Sequence, residues 1–538
     1  WIKLMAVVQQ TFPASLDGSY FFAEYRPTTD SGNGDYSYSP TTLSVDSAGF
    51  IYTSGTYYRH GTGYQGSFGR EYYMFYAKHT PSGDIIFLKR RQHQDNWSIS
   101  QSASIINTNN DFIHVGHALT RRNNAGDSVQ ADATIWKWDK DGNYGWHRSL
   151  GNNSTDTHYD NYDDVGHDSS GNIYCQGDGS YTYDLDANGT CSYAWGQSVL
   201  VAKYNSSGSL QWKKEILKGT GCQNNSYYSA NTSSIAVAPN GNIYLAGYCS
   251  RAKSTGTNSG GTPECGYSGQ GWIMKLNSSG SIQWQKRIRS NFTVTNVPSS
   301  YTGCWTRVSF RKCCIDSNEN VFAVGENWTT SDPAIGTYAN YAGILVKYNS
   351  SGTLQWQTHW HRPNGQTGGT PINLIRGMEC DVDGNFYMCS LWSDQGSILI
   401  NKWNSSGTHQ WVKGIKRNNS DVENGAYGSP RDFKIDNVRK LMIITGTFQD
   451  SGGTRNKGFI IKLPLDGSHT GTYGNWVYSN YTQVSWNHGN TFNGTNIAPN
   501  HGSGVLDIYS SGMVERQSYN TFNSQSDHPI DQTSYNNA

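Results

Sequence analysis

Along most of the chain, short runs of β-branched and aromatic residues alternating with polar ones halt at four-residue polar turns and then resume. This alternation has the period of half-buried strands, and no stretch sustains a helical period. One phrase recurs, best seen at Lys203-Tyr204-Asn205-Ser206-Ser207-Gly208-Ser209-Leu210-Gln211-Trp212. An apolar strand runs into it, Asn-Ser-Ser-Gly turns the chain, and a second strand ends on the indole. Asn and Ser favour turn conformations, and Gly takes the left-handed position that closes a hairpin. The phrase returns as Lys275 to Trp284, Lys347 to Trp356 and Lys402 to Trp411, with looser copies at Lys137 to Trp146 and Lys78 to Phe87. In all six the Gly follows the Lys by five residues and the aromatic follows the Gly by four. A seventh copy, Lys462 to Gly467, has Gly471 where the aromatic belongs.

A second landmark precedes each hairpin: a polar turn and a short β-rich segment closing on Gly, as in Asp46 to Gly55 and Pro239 to Gly247. Its equivalent positions are 52, 113, 174, 244, 322, 387 and 443. Each unit therefore predicts four strands: one before the Asp/Gly turn, one through Ile-Tyr, one ending at the Lys and one ending at the aromatic. Repeated four-stranded units predict an all-β fold, a seven-bladed β-propeller. The intervals exceed the ~40–50 residues of common propeller repeats. The excess falls between second and third strands, as in Tyr248 to Gly271 and Glu326 to Gly343, where loops open on one face.

The unit lacking its aromatic suggests how the ring closes. Trp1-Ile2-Lys3 resembles Trp212-Lys213-Lys214, so this N-terminal strand is expected to complete the last blade, pairing the termini within one sheet. The competing reading gives Trp1 to an eighth blade lost upstream. The expected division is a propeller over 1–469 and a polar C-terminal extension, 470–538, that wraps the propeller or contacts another subunit.

Composition changes the picture little. The chain of 538 residues is rich in Gly (60), Tyr (36) and Trp (18), and Lys+Arg balance Asp+Glu at 41 each. Zero net charge argues against a mainly electrostatic partner such as duplex nucleic acid or an anionic membrane. No apolar run approaches the ~20 residues of a membrane-spanning helix. The chain starts at Trp1 without a signal-peptide pattern, which points to processing or to missing upstream residues. Ten Cys lie between Cys175 and Cys389 without a CxxC spacing; they can form disulfides in an oxidising setting, though the adjacent Cys313 and Cys314 are not expected to bond to each other.

Local chemistry is sparse. The repeated Lys is read as scaffold, with Lys203 opposite Leu210, diagonal to Trp212, and its ammonium reaching outward. Asp184, Asp186 and Asn188 imitate the first half of a calcium loop, but Trp195 stands where the bidentate Glu belongs. Calcium is the one cofactor this pattern admits. His359 with His361, and His114 with His117, lack zinc-site spacing and are read as strand or surface residues. No catalytic residue is marked by a nucleophile elbow, phosphate loop or paired-carboxylate signature. Tyr57, Tyr58, Tyr248, Trp328, Trp392 and Phe448 follow second strands; as rim aromatics they suit stacking on sugar faces, unless they pack within their own loops.

The unit Asp-x-x-Gly-Asn-Ile-Tyr-x-x-Gly … Lys-Tyr-Asn-Ser-Ser-Gly-x-Leu-Gln-Trp resembles the bacterial SBBP repeats, named for a seven-bladed propeller, over about residues 40–467. That resemblance implies the fold and a secreted or cell-surface setting, with no common activity. A second phrase, Lys462 to Gly474, resembles endings of propeller-bearing virion proteins of marine phages. What this implies is a non-enzymatic phage virion protein, tail-associated and concerned with host attachment, assembled with other subunits and engaging a host-surface glycan. The alternatives are a secreted or cell-surface bacterial propeller binding glycan or protein, and a propeller-fold carbohydrate-active enzyme.

Overall fold

The computed structural model describes residues 5–11, 20–27, 35–60, 70–92, 99–122, 128–151, 158–183, 194–218, 227–252, 267–289, 305–329, 340–361, 374–392, 397–417, 428–449, 456–473, 475–481, 500–503, 506–510 and 514–516. Among these residues there is no helix. Seven antiparallel blades of four strands follow one another, and their innermost strands are Asp35–Val45, Ile99–Ile106, Asn161–His167, Tyr227–Val237, Trp305–Ile315, Leu374–Cys380 and Ser429–Asp436. Each innermost strand adjoins the next, and the seventh adjoins the first, so the ring is closed.

The outer hairpin differs from expectation in register. Lys203 faces Trp212 and Tyr204 faces Leu210, because Gln211 is bulged out between them. The outer strand runs on from Leu210 to Lys218, so the indole stands near its start. Facing the Lys of every blade is an aromatic: Phe87, Trp146, Trp212, Trp284, Trp356 and Trp411 in the first six. The seventh partner, facing Lys462, is Phe21. The strand that completes the last blade is thus Phe21–Pro27. Trp1-Ile2-Lys3 lies outside the described residues. The N-terminal closure holds, with a different segment, and the number of blades is seven.

These aromatics join blade to blade. Gly208 turns with φ of 82°, and a Cβ there would stand 2.7 Å from the Trp146 ring of the blade before. The same relation links Gly83 to Phe21, Gly142 to Phe87, Gly280 to Trp212, Gly352 to Trp284, Gly407 to Trp356 and Gly467 to Trp411. Glycine is needed twice over, for the left-handed backbone and for the ring lying on it. The Lys also points sideways and not outward. Lys203 Nζ donates to Ser278 O at 3.3 Å, Lys275 Nζ to Ser350 O at 3.2 Å, and Lys462 Nζ to Pro81 O at 2.6 Å. Each stem crosses a ring of its own blade, with Lys203 Nζ 5.1 Å from the Tyr174 centroid.

Past Gly467 the chain forms a hairpin, Gly471–Tyr473 and Trp476–Asn480, whose second strand adds a fifth strand to blade 6 beside His409–Arg417. Trp476 is buried at the seam of blades 6 and 7. Its Nε1 donates to Glu24 Oε1 at 3.0 Å, and Arg417 Nε donates to the same oxygen at 3.0 Å. Shorter strands at Asn500–Ser503, Leu506–Ser510 and Val514–Arg516 run along the outer strands of blades 4, 3 and 2. Among the described residues a disulfide, Cys314–Cys380, ties the innermost strands of blades 5 and 6, while Cys175, Cys313 and Cys389 are buried thiols.

Candidate functional site

Every innermost strand carries a β-bulge at the same height, where the register slips by one residue. The bulged residues are Thr41, Ser102, Asp163, Ser233, Arg311, Arg376 and Arg431. In six blades the residue facing the bulge is glycine: Gly55, Gly116, Gly177, Gly247, Gly325 and Gly446. A Cβ at Gly177 would fall 1.8 Å from Asn161 O, and one at Gly116 1.8 Å from Ser100 O. In six of the seven units, the Gly that closes the β-rich segment in the sequence is therefore the residue that admits the bulge. A bulge leaves its extra residue out of the ladder and re-aims nearby side chains, here around the propeller axis.

The axis holds a cavity of about 280 Å³, walled by innermost strands of blades 2 to 7. Its charged residues come from blades 3, 5, 6 and 7. Lys312 Nζ lies 3.6 Å from Asp164 Oδ2, and Lys434 Nζ lies 2.8 Å from Glu379 Oε1. Burial disfavours the Lys434 ammonium, but Glu379, Asp432 and Asp164 outweigh it and keep the group charged. Burial pushes Asp432 up to about 6 against the pull of Lys434 and Lys312. Asp164 and Asp432 also serve the ring: Asp164 Oδ2 accepts from Ile235 N at 3.2 Å, and Asp432 Oδ2 from Leu43 N at 2.8 Å, each a bond to the following blade. Arg376 and Arg431 complete this wall, and among the described residues neither has an acidic partner.

A second group sits where blade 2 meets blade 3. The two-residue strand His158–Tyr159 runs parallel to Ser128–Trp138, with Tyr159 opposite Ala131, and Asp160 N donates to Ala131 O at 2.8 Å. This fixes the Tyr159 hydroxyl 2.8 Å from His117 Nε2. His117 is 8% exposed and Tyr159 53%, so a sheltered imidazole meets a phenol open to solvent. On the other side His117 Nδ1 lies 3.3 Å from Asn161 Oδ1, and the Asn161 amide donates to Asp163 Oδ1. The Tyr159 hydroxyl is also 3.3 Å from Nδ1; with Nδ1–H donating to the Asn161 oxygen, the Nε2 lone pair is left for the hydroxyl, which lies closer to it. Burial lowers the His117 pKa, with the Asn161 bond pulling the other way, so the ring is neutral near pH 7. Burial and the charge of Asp163 raise that of Tyr159.

Asp163 and Asp178 form a carboxyl pair beneath this relay. Burial raises both; Asp178 reaches about 7, and Asp163 is raised further by Asp178 and restrained by Lys312. Two adjacent carboxyls cannot both ionise cheaply, so the pair holds a proton near neutrality. Such a set supplies a neutral base, a phenolic acid and a protonated carboxyl where blade 2 meets blade 3, adjoining Asp164 of the cavity wall, while the guanidinium groups of Arg376 and Arg431 line the cavity itself.

Of the aromatics singled out from sequence, the side chains of Tyr57, Tyr248 and Phe448 are described, and none of them lines this cavity. Tyr57 and Phe448 are buried, at 2% and 1% exposure. Phe448 packs against Trp476 with Arg417 over its ring at 4.3 Å. Tyr248 is half-buried beneath Arg311, 5.8 Å from the guanidinium. Tyr58, Trp328 and Trp392 lie in strands, but their side chains, like those of His359 and His361, are outside the described residues. So are Asp184, Asp186 and Asn188. His114 is a core residue, its Nδ1 3.0 Å from Ser54 Oγ and its Nε2 receiving Trp138 Nε1. No linear motif marks the channel residues, because they stand as one or two charges inside a strand. Their signal was nevertheless present: Asp163-Asp164, Arg311-Lys312, Arg376 and Arg431-Asp432 recur at one position of the unit, where a buried strand has no ordinary use for charge.

No family model matches the chain, and no curated protein matches it. Among solved structures it is similar to polysaccharide lyase Uly1, at 10% identity and a TM-score of 0.46 over 86% of this chain and 100% of that one. It is also similar to a PL25 ulvan lyase bound to -[GlcA(1-4)Rha3S]-, at 12% identity and 0.41, covering 78% and 93%. A third is an α-L-arabinanase of Penicillium chrysogenum, at 12% and 0.33, covering 68% and 92%. What these likenesses share with the chain is the propeller. The expectation of a non-enzymatic phage virion protein, tail-associated and used for attachment, is corrected at this point. The solved structures named here are described as polysaccharide lyases and an arabinanase, and none is a virion protein. Any chemistry must be argued from the channel itself.

Proposed function

We propose that the chain is a carbohydrate-active enzyme that cleaves a uronate-containing polysaccharide by β-elimination where blade 2 meets blade 3. The supporting observation is the direct His117–Tyr159 hydrogen bond, in which a neutral imidazole meets an exposed phenol. In this reading His117 Nε2, freed as Tyr159 turns to substrate, takes the proton on the carbon next to the uronate carboxylate. The electron pair left behind forms the carbon–carbon double bond and expels the glycosidic oxygen, which Tyr159 protonates. His117 then returns its proton to the phenolate across the same contact, and the site is reset. The Asn161–Asp163 relay holds the imidazole in the tautomer this needs. An extracellular location goes with the reading, since such polymers lie outside cells and the Cys314–Cys380 disulfide persists in oxidising surroundings.

The carboxyl pair favours a second reading, hydrolysis with Asp178 as general acid. One assay separates the two. The protein is incubated with uronate-containing and neutral polysaccharides while ultraviolet absorbance and reducing ends are followed together. Elimination predicts both signals, abolished by Tyr159→Phe and His117→Asn. Hydrolysis predicts reducing ends alone, abolished by Asp178→Asn. Absence of both signals on every polymer would remove the enzymatic reading.

A further inference from the structure

The cations of the channel are not equivalent. Lys312 is matched by Asp164, Lys434 by Glu379, and Arg311, at the rim, by Glu326 at 3.3 Å. Arg376 and Arg431, the bulged residues of blades 6 and 7, face the same cavity with no carboxylate between them among the described residues. The nearest acid on their own strands, Asp432, is taken up by the backbone N–H groups of Leu43 and Phe433, each at 2.8 Å. Arg376 Nε is buried and has no hydrogen-bond partner among the described residues. Burial, and then the neighbouring Arg431, weaken the hold of Arg376 on its proton. Two partly desolvated like charges with an unspent donor are costly unless an anion completes them, and a planar guanidinium fork matches a carboxylate or sulfate in two-point geometry.

We propose that Arg376 and Arg431 form an oxyanion subsite that takes a carboxylate or sulfate ester of the polysaccharide, on the wall formed by blades 6 and 7. The proposal rests on reading the channel as the substrate site, but it concerns recognition and not bond cleavage. It is tested by calorimetric titration of the whole chain with sodium sulfate and, separately, sodium glucuronate, at ionic strength held constant with chloride. Binding of either ion to the wild type, weakened about tenfold or more in R376Q/R431Q, is the expected result, the size of one lost charge-assisted pair. The ion that binds more tightly identifies the group accepted. The single variant R431Q, at an exposed position, guards against misfolding of the double variant. In chloride both variants should melt no lower than wild type, because each removes a repulsion. Binding lost in the variants of a protein that cleaves nothing upholds the subsite and sinks the enzymatic reading. Equal binding by wild type and variants, no binding of either ion, or cleavage with KM unmoved in R431Q overturns the subsite.

Discussion

His79 and His114 are fully buried, and desolvation lowers both to about 3. Each ring is neutral in the folded chain while its unfolded counterpart protonates near 6.5. Below that pH the unfolded state binds protons that the folded state refuses, so stability falls as pH drops from about 6.5 toward 3, by up to about 1.4 kcal/mol per unit for each His. Denaturant melts at stepped pH should show this slope, and His114→Gln should flatten it by the share of one proton. Glu24 is the other residue whose change has a calculable effect. Its carboxylate is the common acceptor of Arg417 and Trp476, with side-chain exposures of 4% for Glu24 and 2% for Arg417. Replacing it with Gln leaves a guanidinium buried without its counter-charge, a loss of about 3–5 kcal/mol by equilibrium unfolding. A variant within 1 kcal/mol of wild type, on the order of a surface pair, would mean that water takes over the role.

At the scale of the strand, the bulge links backbone to chemistry. Gly177→Ala places a methyl group against Asn161 O, so the strand must shift just where Asp163 and Asn161 are held. The expected stability loss is about 1–3 kcal/mol, as for other overpacked sites. The more telling readout is the pH profile of cleavage, which should broaden as the relay to His117 loosens, while Gly325→Ala in blade 5 lowers stability alone. The sequence disclosed the hairpin and hid the bulge for one physical reason. Lys, Gly and Trp serve the same contact in every blade, so repetition exposes them. Arg376, Asp163 and Ser102 share a backbone position but differ in chemistry, and a position of variable chemistry leaves no motif. Two of the rim aromatics are hidden in a related way: Tyr57 and Phe448 occupy equivalent places, yet equivalence does not reveal that a neighbouring blade or the C-terminal hairpin covers them.

For the whole molecule, closure depends on pairing residues remote in sequence. Trp-Ile-Lys imitates Trp-Lys-Lys and so points to Trp1 as the missing aromatic, whereas Phe21 sits in Phe-Phe-Ala-Glu, which imitates nothing. Only the register Phe21↔Lys462 identifies it. A chain lacking residues 1–27 should therefore lose the outer strand of blade 7 and the Glu24 contacts at once, and melt well below a chain lacking residues 1–4. Equal melting temperatures for the two would show that the ring closes without that strand. Each aromatic lies on the turn glycine of the following blade, and the join from Phe21 to Gly83 repeats the join from Trp146 to Gly208. The contacts run in one rotational sense, and the ring-on-glycine contact is made at all seven joins. The molecule has no structurally first blade: new termini opened in any inter-blade connection, with the old ones bridged, leave every glycine its ring, and evolution or an engineer is free to begin the chain wherever the channel face can spare a loop.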